Sequence, residues 1–224
     1  MSDSLPRYRE REKQRNLPPT FLSHLRQLER TYLMSDDPMR QSGFTGGSER
    51  WRREREPILE GFQNSGDLLD VCCANGHLVE CLTRWGQARG LEITPFGIDQ
   101  GSQLIELARR RFPRFADHFQ VANAWNWYPP RQYRYVYALW DCVPENYLPE
   151  FIRRLLVRSV APGGRLILGA YGSLSRHEQP FDVEMFLRSV GYQVSGTAWG
   201  GAPPIARFSW VNRDSVSDAQ LLQA

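Results

Sequence analysis

From Gly66 onward, short apolar runs alternate with stretches of helical period, and this alternation constrains the fold more than any other feature of the chain. Runs at residues 68–72, 95–98, 119–122, 135–139 and 165–170 read as strands one to five. Between them lie helical segments at 78–88, from Ser102 as a cap to the stop at Pro113, at 148–160 with Pro149 in its first turn, and at 181–190 closed by Gly191. Two last strands, 192–199 and 205–211, flank Gly200-Gly201 as a hairpin. Strand–helix alternation implies βαβ units, hence a mostly parallel sheet with helices on both faces. The hairpin adds one antiparallel strand.

Upstream the pattern differs. Residues 1–17 alternate arginine and glutamate with no apolar period, a solvated polar arm. A helix is predicted at 20–33, with Phe21, Leu22, Leu25, Leu28 and Tyr32 at helical spacing. A glycine-rich turn region follows, then a second helix at 49–62. The expected organisation is an arm at 1–17, a helical lid at 18–64, an α/β domain at 65–213 and a tail at 214–224.

Composition excludes several chemistries. The 224 residues include one lysine, Lys13, so neither a P-loop lysine nor a buried Schiff-base lysine is present. Cys72, Cys73, Cys81 and Cys142 form no C-x-x-C pair, and the four histidines have no H-E-x-x-H spacing, so no metal site is expected. No apolar run approaches the ~18 residues of a membrane span. The first residues are charged where a secretory segment is apolar, so a cytoplasmic protein without membrane attachment is expected. A net charge of +3 is too small to point to nucleic acid.

In open α/β sheets, ligands sit beyond the carboxyl ends of the strands. The first strand–helix turn reads Asp70-Val71-Cys72-Cys73-Ala74-Asn75-Gly76-His77. A dinucleotide fingerprint needs a third small residue where His77 stands, which disfavours a nicotinamide enzyme. Small residues at 72, 74 and 76 with Asp70 before them resemble motif I of the class I S-adenosylmethionine-dependent methyltransferases. The resemblance runs over about 66–211. It implies a Rossmann-like seven-stranded sheet with one antiparallel strand and an N-terminal helical lid.

The resemblance also implies roles. Asp70, Cys72, Cys73, Ala74 and Gly76 form the cofactor loop. Asp99, followed by Gln100 at the end of strand two, takes the ribose hydroxyls. In Asn123-Ala124-Trp125, the amide faces the adenine amino group and the indole flanks the ring. Leu139-Trp140-Asp141 lies where the methionine part and the acceptor meet, and Ala161-Pro162-Gly163-Gly164 resembles the turn before strand five. The cofactor is then S-adenosyl-L-methionine and the partner a small organic acceptor. Asp141 is the candidate base, about as well read as a cap or a ligand of the cofactor's amino group. Trp140, Tyr171 and Phe44 are the candidate acceptor-site residues, with Phe44 closing from a lid at 39–51. Arg40 or Arg53 is a candidate for the cofactor's carboxylate. Cys72 departs from the family's glycine, and weaker cofactor binding is expected from its side chain. An RNA methyltransferase, favoured only if basic residues surround the pocket, and a non-catalytic cofactor-binding protein are the alternatives. The acceptor atom and the oligomeric state are left open.

Overall fold

The computed structural model describes residues 16–217. Seven strands, β1 (Gly66–Val71), β2 (Ile93–Asp99), β3 (Phe119–Val121), β4 (Tyr133–Leu139), β5 (Val160–Tyr171), β6 (Gly196–Gly200) and β7 (Ala206–Asn212), form one sheet in the order β3-β2-β1-β4-β5-β7-β6. The strands β1 to β5 pair in parallel, and β7 runs antiparallel to both β5 and β6. The helices are α1 (Pro19–Tyr32), α2 (Ser48–Arg55), α3 (His77–Ala88), α4 (Ser102–Arg111), α5 (Leu148–Arg154) and α6 (Val183–Ser189).

Alternate residues of a strand point to opposite faces, and both faces of this sheet are covered. Leu69, Val71, Val136, Ala138, Leu166 and Leu168 pack against Phe151 and Ile152 of α5 and Leu187 of α6. Their strand neighbours Leu68, Tyr135, Tyr137 and Ile167 face Trp51 of α2 and Val79 and Leu82 of α3. The central strands therefore read as continuous apolar runs. The hydroxyl of Tyr135 accepts from the backbone N–H groups of Gln63 (3.0 Å) and Asn64 (3.1 Å), so that large ring is buried without an unpaired polar atom.

Several boundaries differ from expectation, each for a local reason. The helix expected over 49–62 ends at Arg55 and continues as a 3₁₀ turn, Glu56–Gly61, because Pro57 offers no N–H to the α ladder. The helix expected over 148–160 widens into a π turn at Leu155–Ser159. The strand β5 then starts at Val160, paired with Tyr133, and shifts register before Arg165 pairs with Tyr135. Gly101, rather than Ser102, caps α4; the carboxylate of Asp99 accepts from the Gly101 N–H (2.8 Å) and that of Glu29 from the Gln103 N–H (3.2 Å). Tyr192 is drawn out of the penultimate strand because its N–H closes on the carbonyl of Leu187 (2.9 Å). Most of the polar arm and of the tail lies outside the described residues. Leu17, at the arm's expected end, is buried in the core. Among the described residues no helix is long and apolar enough to cross a membrane.

Candidate cofactor and acceptor site

The turn after β1 is built from left-handed backbone. Cys72 (φ 67°), Ala74 (φ 47°) and Gly76 (φ 73°) have positive φ, and Cys73 and Asn75 between them do not. Two of the three carry a Cβ, and each such residue costs roughly 1–2 kcal/mol against its ordinary conformation. The surroundings hold this strained path. The N–H groups of Cys72 (2.8 Å) and Cys73 (3.0 Å) both donate to the carbonyl of Ile98, and the N–H of Ala74 donates to Asp99 Oδ2 (2.9 Å). A Cβ on Gly76 would lie 3.1 Å from Ala108 Cβ, so glycine lets α4 pack against the turn.

Asn75 fastens a second element to the turn. It is fully buried. Its Oδ1 accepts from Ser42 Oγ (2.8 Å) and His77 N–H (3.0 Å), and its Nδ2 donates to the Pro38 carbonyl (3.0 Å) and Gln41 Oε1 (2.9 Å). Every polar atom of the side chain is used, and the loop 38–42 is thereby clamped onto the motif.

Above the strand ends is a cavity of about 180 Å³. Of the residues expected at a cofactor site, Cys72, Ala74, Asp99, Gln100, Asn123, Ala124, Leu139 and Asp141 line it together. The helix α1 roofs it with Leu25, Leu28, Glu29 and Tyr32, and Ser42 and Leu17 complete the walls. The charged lining residues are Glu29, Asp99 and Asp141, with no arginine among them. Burial raises the Asp99 carboxyl, opposed by the N–H groups it accepts from. Asp141, an exposed residue, turns its carboxyl among the cavity walls, and the loss of water there raises it. The phenol of Tyr32 is raised by burial and then by the charges of Asp141 and Asp99, so it stays a donor. Its ring lies against Gly43, where a Cβ would fall 2.5 Å from the hydroxyl. The side chain of Asn123 accepts from the Trp125 N–H (2.9 Å), which leaves its Nδ2 to donate.

The remaining expected residues sit elsewhere. Asp70 is buried beneath the turn, its carboxyl raised well above the usual range by burial and then by Asp99. Cys73 packs below it with Ile105, Ala108 and Phe119. Trp125 is a core residue, edge-on to Tyr147 (5.0 Å) and capped by the Arg154 guanidinium at 3.8 Å. Trp140 stacks on Phe181 (4.3 Å) beside Asp141. Phe44 does not reach the cavity: it is buried on the opposite sheet face against Trp51 (5.3 Å) and the Arg55 guanidinium (4.4 Å), which draw its ring away. Tyr171 belongs to that same cluster, with Arg55 over its ring (4.4 Å) and its hydroxyl 3.2 Å from that of Tyr137. Arg40 and Arg53 do not line the cavity; Arg40 faces Asp37 (3.9 Å) and Arg53 faces Glu49 (3.6 Å). Sequence reasoning passed over Glu29, Tyr32, Ser42 and Asn75. The helical stripe Leu25–Leu28–Tyr32 was the available signal for the first two, and an asparagine inside a small-residue turn offered none.

No family model matches the chain, and no curated protein matches it. Solved structures do. An S-adenosylmethionine-dependent methyltransferase from Aquifex aeolicus superimposes with a TM-score of 0.55 at 16% identity, over 79% of this chain and 98% of that one. The N-methyltransferase NodS from Bradyrhizobium japonicum WM9, in complex with S-adenosylhomocysteine, gives 0.56 at 14% identity, over 84% and 97%. DhpI, also in complex with S-adenosylhomocysteine, gives 0.53 at 19% identity, over 84% and 93%. The chain has the class I methyltransferase fold.

Proposed function

We propose that this protein is an S-adenosyl-L-methionine-dependent methyltransferase that acts on a small organic acceptor. The observation that carries the reading is the placement of Asp99. Its carboxylate holds the motif turn through the Ala74 N–H and faces a cavity whose charged lining residues are all acids. Such a lining suits a ligand with a sulfonium and an ammonium against one carboxylate.

The residues present fit that cofactor. The oxygens of Asp99 accept from the N–H groups of Ala74 and Gly101, and a carboxylate has about four acceptor sites, which leaves capacity for a sugar hydroxyl. Gln100 extends this end of the site. The free donor of Asn123 suits a ring nitrogen of adenine better than its amino group, since the amide oxygen is already committed. Leu104, Ala122 and Ala124 supply an apolar wall. With no arginine in the lining, the cofactor's carboxylate is left to neutral donors, and Tyr32 is positioned as one. When bound, the cofactor supplies a methyl already made electrophilic by its sulfonium.

The chain's own task is placement and proton handling. Leu139 ends β4 and Asp141 follows in the 3₁₀ turn Trp140–Cys142; the carboxyl of Asp141, raised by burial, would take the acceptor's proton where one must leave. The helix α1 excludes water from the transfer. An RNA substrate is disfavoured because arginines are not gathered at the cavity. Many are spent on carboxylates elsewhere, as in Arg50–Glu54, Arg89–Glu60 and Arg111–Glu80. The same acid lining favours neutral or cationic acceptors over carboxylates and phosphates.

Calorimetry with S-adenosylmethionine, S-adenosylhomocysteine and NAD tests the reading. Heat is expected for the first two only. Asp99→Ala, which removes two charge-assisted acceptors at ~1.5–3 kcal/mol each, is expected to weaken binding by about a hundredfold or more. Absence of heat for both adenosyl compounds with folded protein would overturn the assignment.

A further inference from the structure

Outside the cavity, the first two turns of α3 carry a cluster that methyl transfer does not use. Cys81 Sγ lies 3.7 Å from His77 Nε2, and His77 Nδ1 lies 3.2 Å from Glu80 Oε2. Glu80 is held in turn by Arg111 Nη1 (2.6 Å), whose Nε donates to the carbonyl of Asn75 (3.2 Å). The indole N–H of Trp51 donates to Cys81 Sγ (3.4 Å). Residues 77, 80 and 81 share one helix face, so the spacing is inherent in α3. With Glu80 accepting from Nδ1–H, the lone pair of Nε2 faces the thiol. A nucleophile, a base, a carboxylate that orients the base and a donor that stabilises developing negative charge are therefore in contact.

From this juxtaposition we infer that Cys81 is an activated thiol, a site of S-thiolation by small disulfides that carry carboxylates. Cys81 is 2% exposed and forms part of the base of a surface groove of about 660 Å³ walled by Trp51, Trp85 and His77, so the reagent's sulfur must enter between these side chains. Four charged groups face this groove. Asp37 and Glu49 are partnered by Arg40 and Arg53, and Arg52 by Glu56. Arg84, three residues beyond Cys81, is exposed and has no ion-pair partner among the described residues. It is the cation available to a carboxylate on the reagent.

Burial lowers the His77 imidazole, but its hydrogen bonds with Cys81 and Glu80 outweigh this and leave it raised. Glu80 is held below its usual range by His77 and Arg111 and remains ionised. The other thiols differ. Cys72 is pushed up by its contact with Cys142 and by burial, and Cys73 by burial and the charges of Asp70 and Asp99. Cys142 donates its hydrogen to the carbonyl of Val71 (3.5 Å).

In the reaction, the thiol proton passes to His77 Nε2 and the thiolate attacks one sulfur of the disulfide. The reagent's S–S bond breaks and a mixed disulfide forms on Cys81. The expelled thiolate takes the proton from the imidazolium. Cys81 is oxidised and one half of the reagent is reduced.

The test uses the full chain, glutathione disulfide as the anionic probe and bis(2-hydroxyethyl) disulfide as the neutral one, with peptide mass mapping. The first adduct is expected on Cys81, at least tenfold faster than on the other three cysteines. At pH 6 its rate is expected to exceed that of the same cysteine in urea-unfolded chain, because His77 Nε2, 3.7 Å from the sulfur, takes the proton as the sulfur attacks. His77→Gln is expected to remove that advantage. Arg84→Ala, an exposed change, is expected to slow the anionic probe several-fold and leave the neutral one unchanged. The inference is overturned by first labelling of Cys72, Cys73 or Cys142, by no adduct on folded protein, or by a pH 6 rate below that of the unfolded chain. Equal effects of Arg84→Ala on both probes would remove the preference for carboxylates.

Discussion

Asp70→Asn isolates the electrostatics of the motif. Asp70 is 3% exposed, sits under the turn on the central strand and is near a second carboxyl, Asp99. Its carboxyl is raised well above the usual range, first by burial and then by Asp99. A native value above the unfolded one means that the folded chain holds this proton more tightly. The associated stability is therefore complete below about pH 4, the unfolded value, and is lost as pH rises through the native value. Between the two, unfolding free energy falls by a little over 1 kcal/mol per pH unit from this one group. Asparagine keeps the shape and cannot ionise. Relative to wild type, the variant is expected to gain stability as pH rises above about 4, by a little over 1 kcal/mol for each pH unit over which the native carboxyl keeps its proton and the unfolded one does not. Urea unfolding of both proteins at pH 4, 5, 6, 7 and 8 measures it. A wild-type-to-variant difference that does not change over this range would refute the reasoning, whatever the absolute stability of the variant.

Three further outcomes follow from the site. Cys72→Gly relieves a left-handed residue but frees the unfolded chain, terms of about 1 kcal/mol that nearly cancel. Its urea midpoint should hardly move while its affinity for S-adenosylhomocysteine rises by less than tenfold; equal or poorer binding counts against crowding by Cys72. Asn75→Ala takes their partner from buried Gln41 Oε1 and from the His77 N–H, while Ser42 and the Pro38 carbonyl keep each other (3.1 Å), and should lower unfolding free energy by about 3 kcal/mol, with protease cutting appearing at 37–43. Asp141→Asn removes one of three facing carboxylates. It should narrow the preference for cationic S-adenosylmethionine over neutral S-adenosylhomocysteine several-fold in paired titrations, and an unchanged ratio would place Asp141 away from the charge.

What the sequence made legible is what depends on period and local chemistry. The runs LLDV, YVYAL and RLILGA announce strands because both sheet faces are buried, and the turn at 72–76 announces itself by its small residues. The eight expected residues that meet at the cavity lie on successive strand ends, so topology alone brings them together. Expectation strayed where a side chain chose its partner across the fold. Phe44 has the composition of a lid residue, yet Trp51, Arg55 and the opposite sheet face hold it more firmly than a cavity could. Trp125 lies beside Asn123 in sequence, but the Arg154 guanidinium and Tyr147 hold it in the core. No spacing rule links Asn75 to residues 38, 41 and 42, since that clamp closes over more than thirty residues of chain.

The N-terminal region accordingly divides into a part that roofs the cavity and a part that belongs to the fold, and two truncations separate them. No residue of α1 is buried, although Leu25, Leu28, Glu29 and Tyr32 close the cavity. Removing residues 1–34 sacrifices the burial of Leu17, about 2 kcal/mol, and the packing of half-buried Phe21 and Leu22 on the core, and should still leave a folded sheet that binds S-adenosylhomocysteine at least tenfold more weakly. Removing residues 1–47 also takes Gln41 and Ser42 from Asn75 and the buried ring of Phe44 from Arg55 and Trp51. A lost aromatic ring in a core costs about 3–5 kcal/mol. With the unpaired amide of Asn75 added, the longer truncation should lose cooperative unfolding, even though the whole region has the composition of a detachable lid. Circular dichroism through a urea titration, with calorimetry on whatever folds, distinguishes the two. If both truncations fold equally well, the clamp at Asn75 does not join the loop 38–42 to the fold, and if the shorter one fails to fold, α1 is more than a roof.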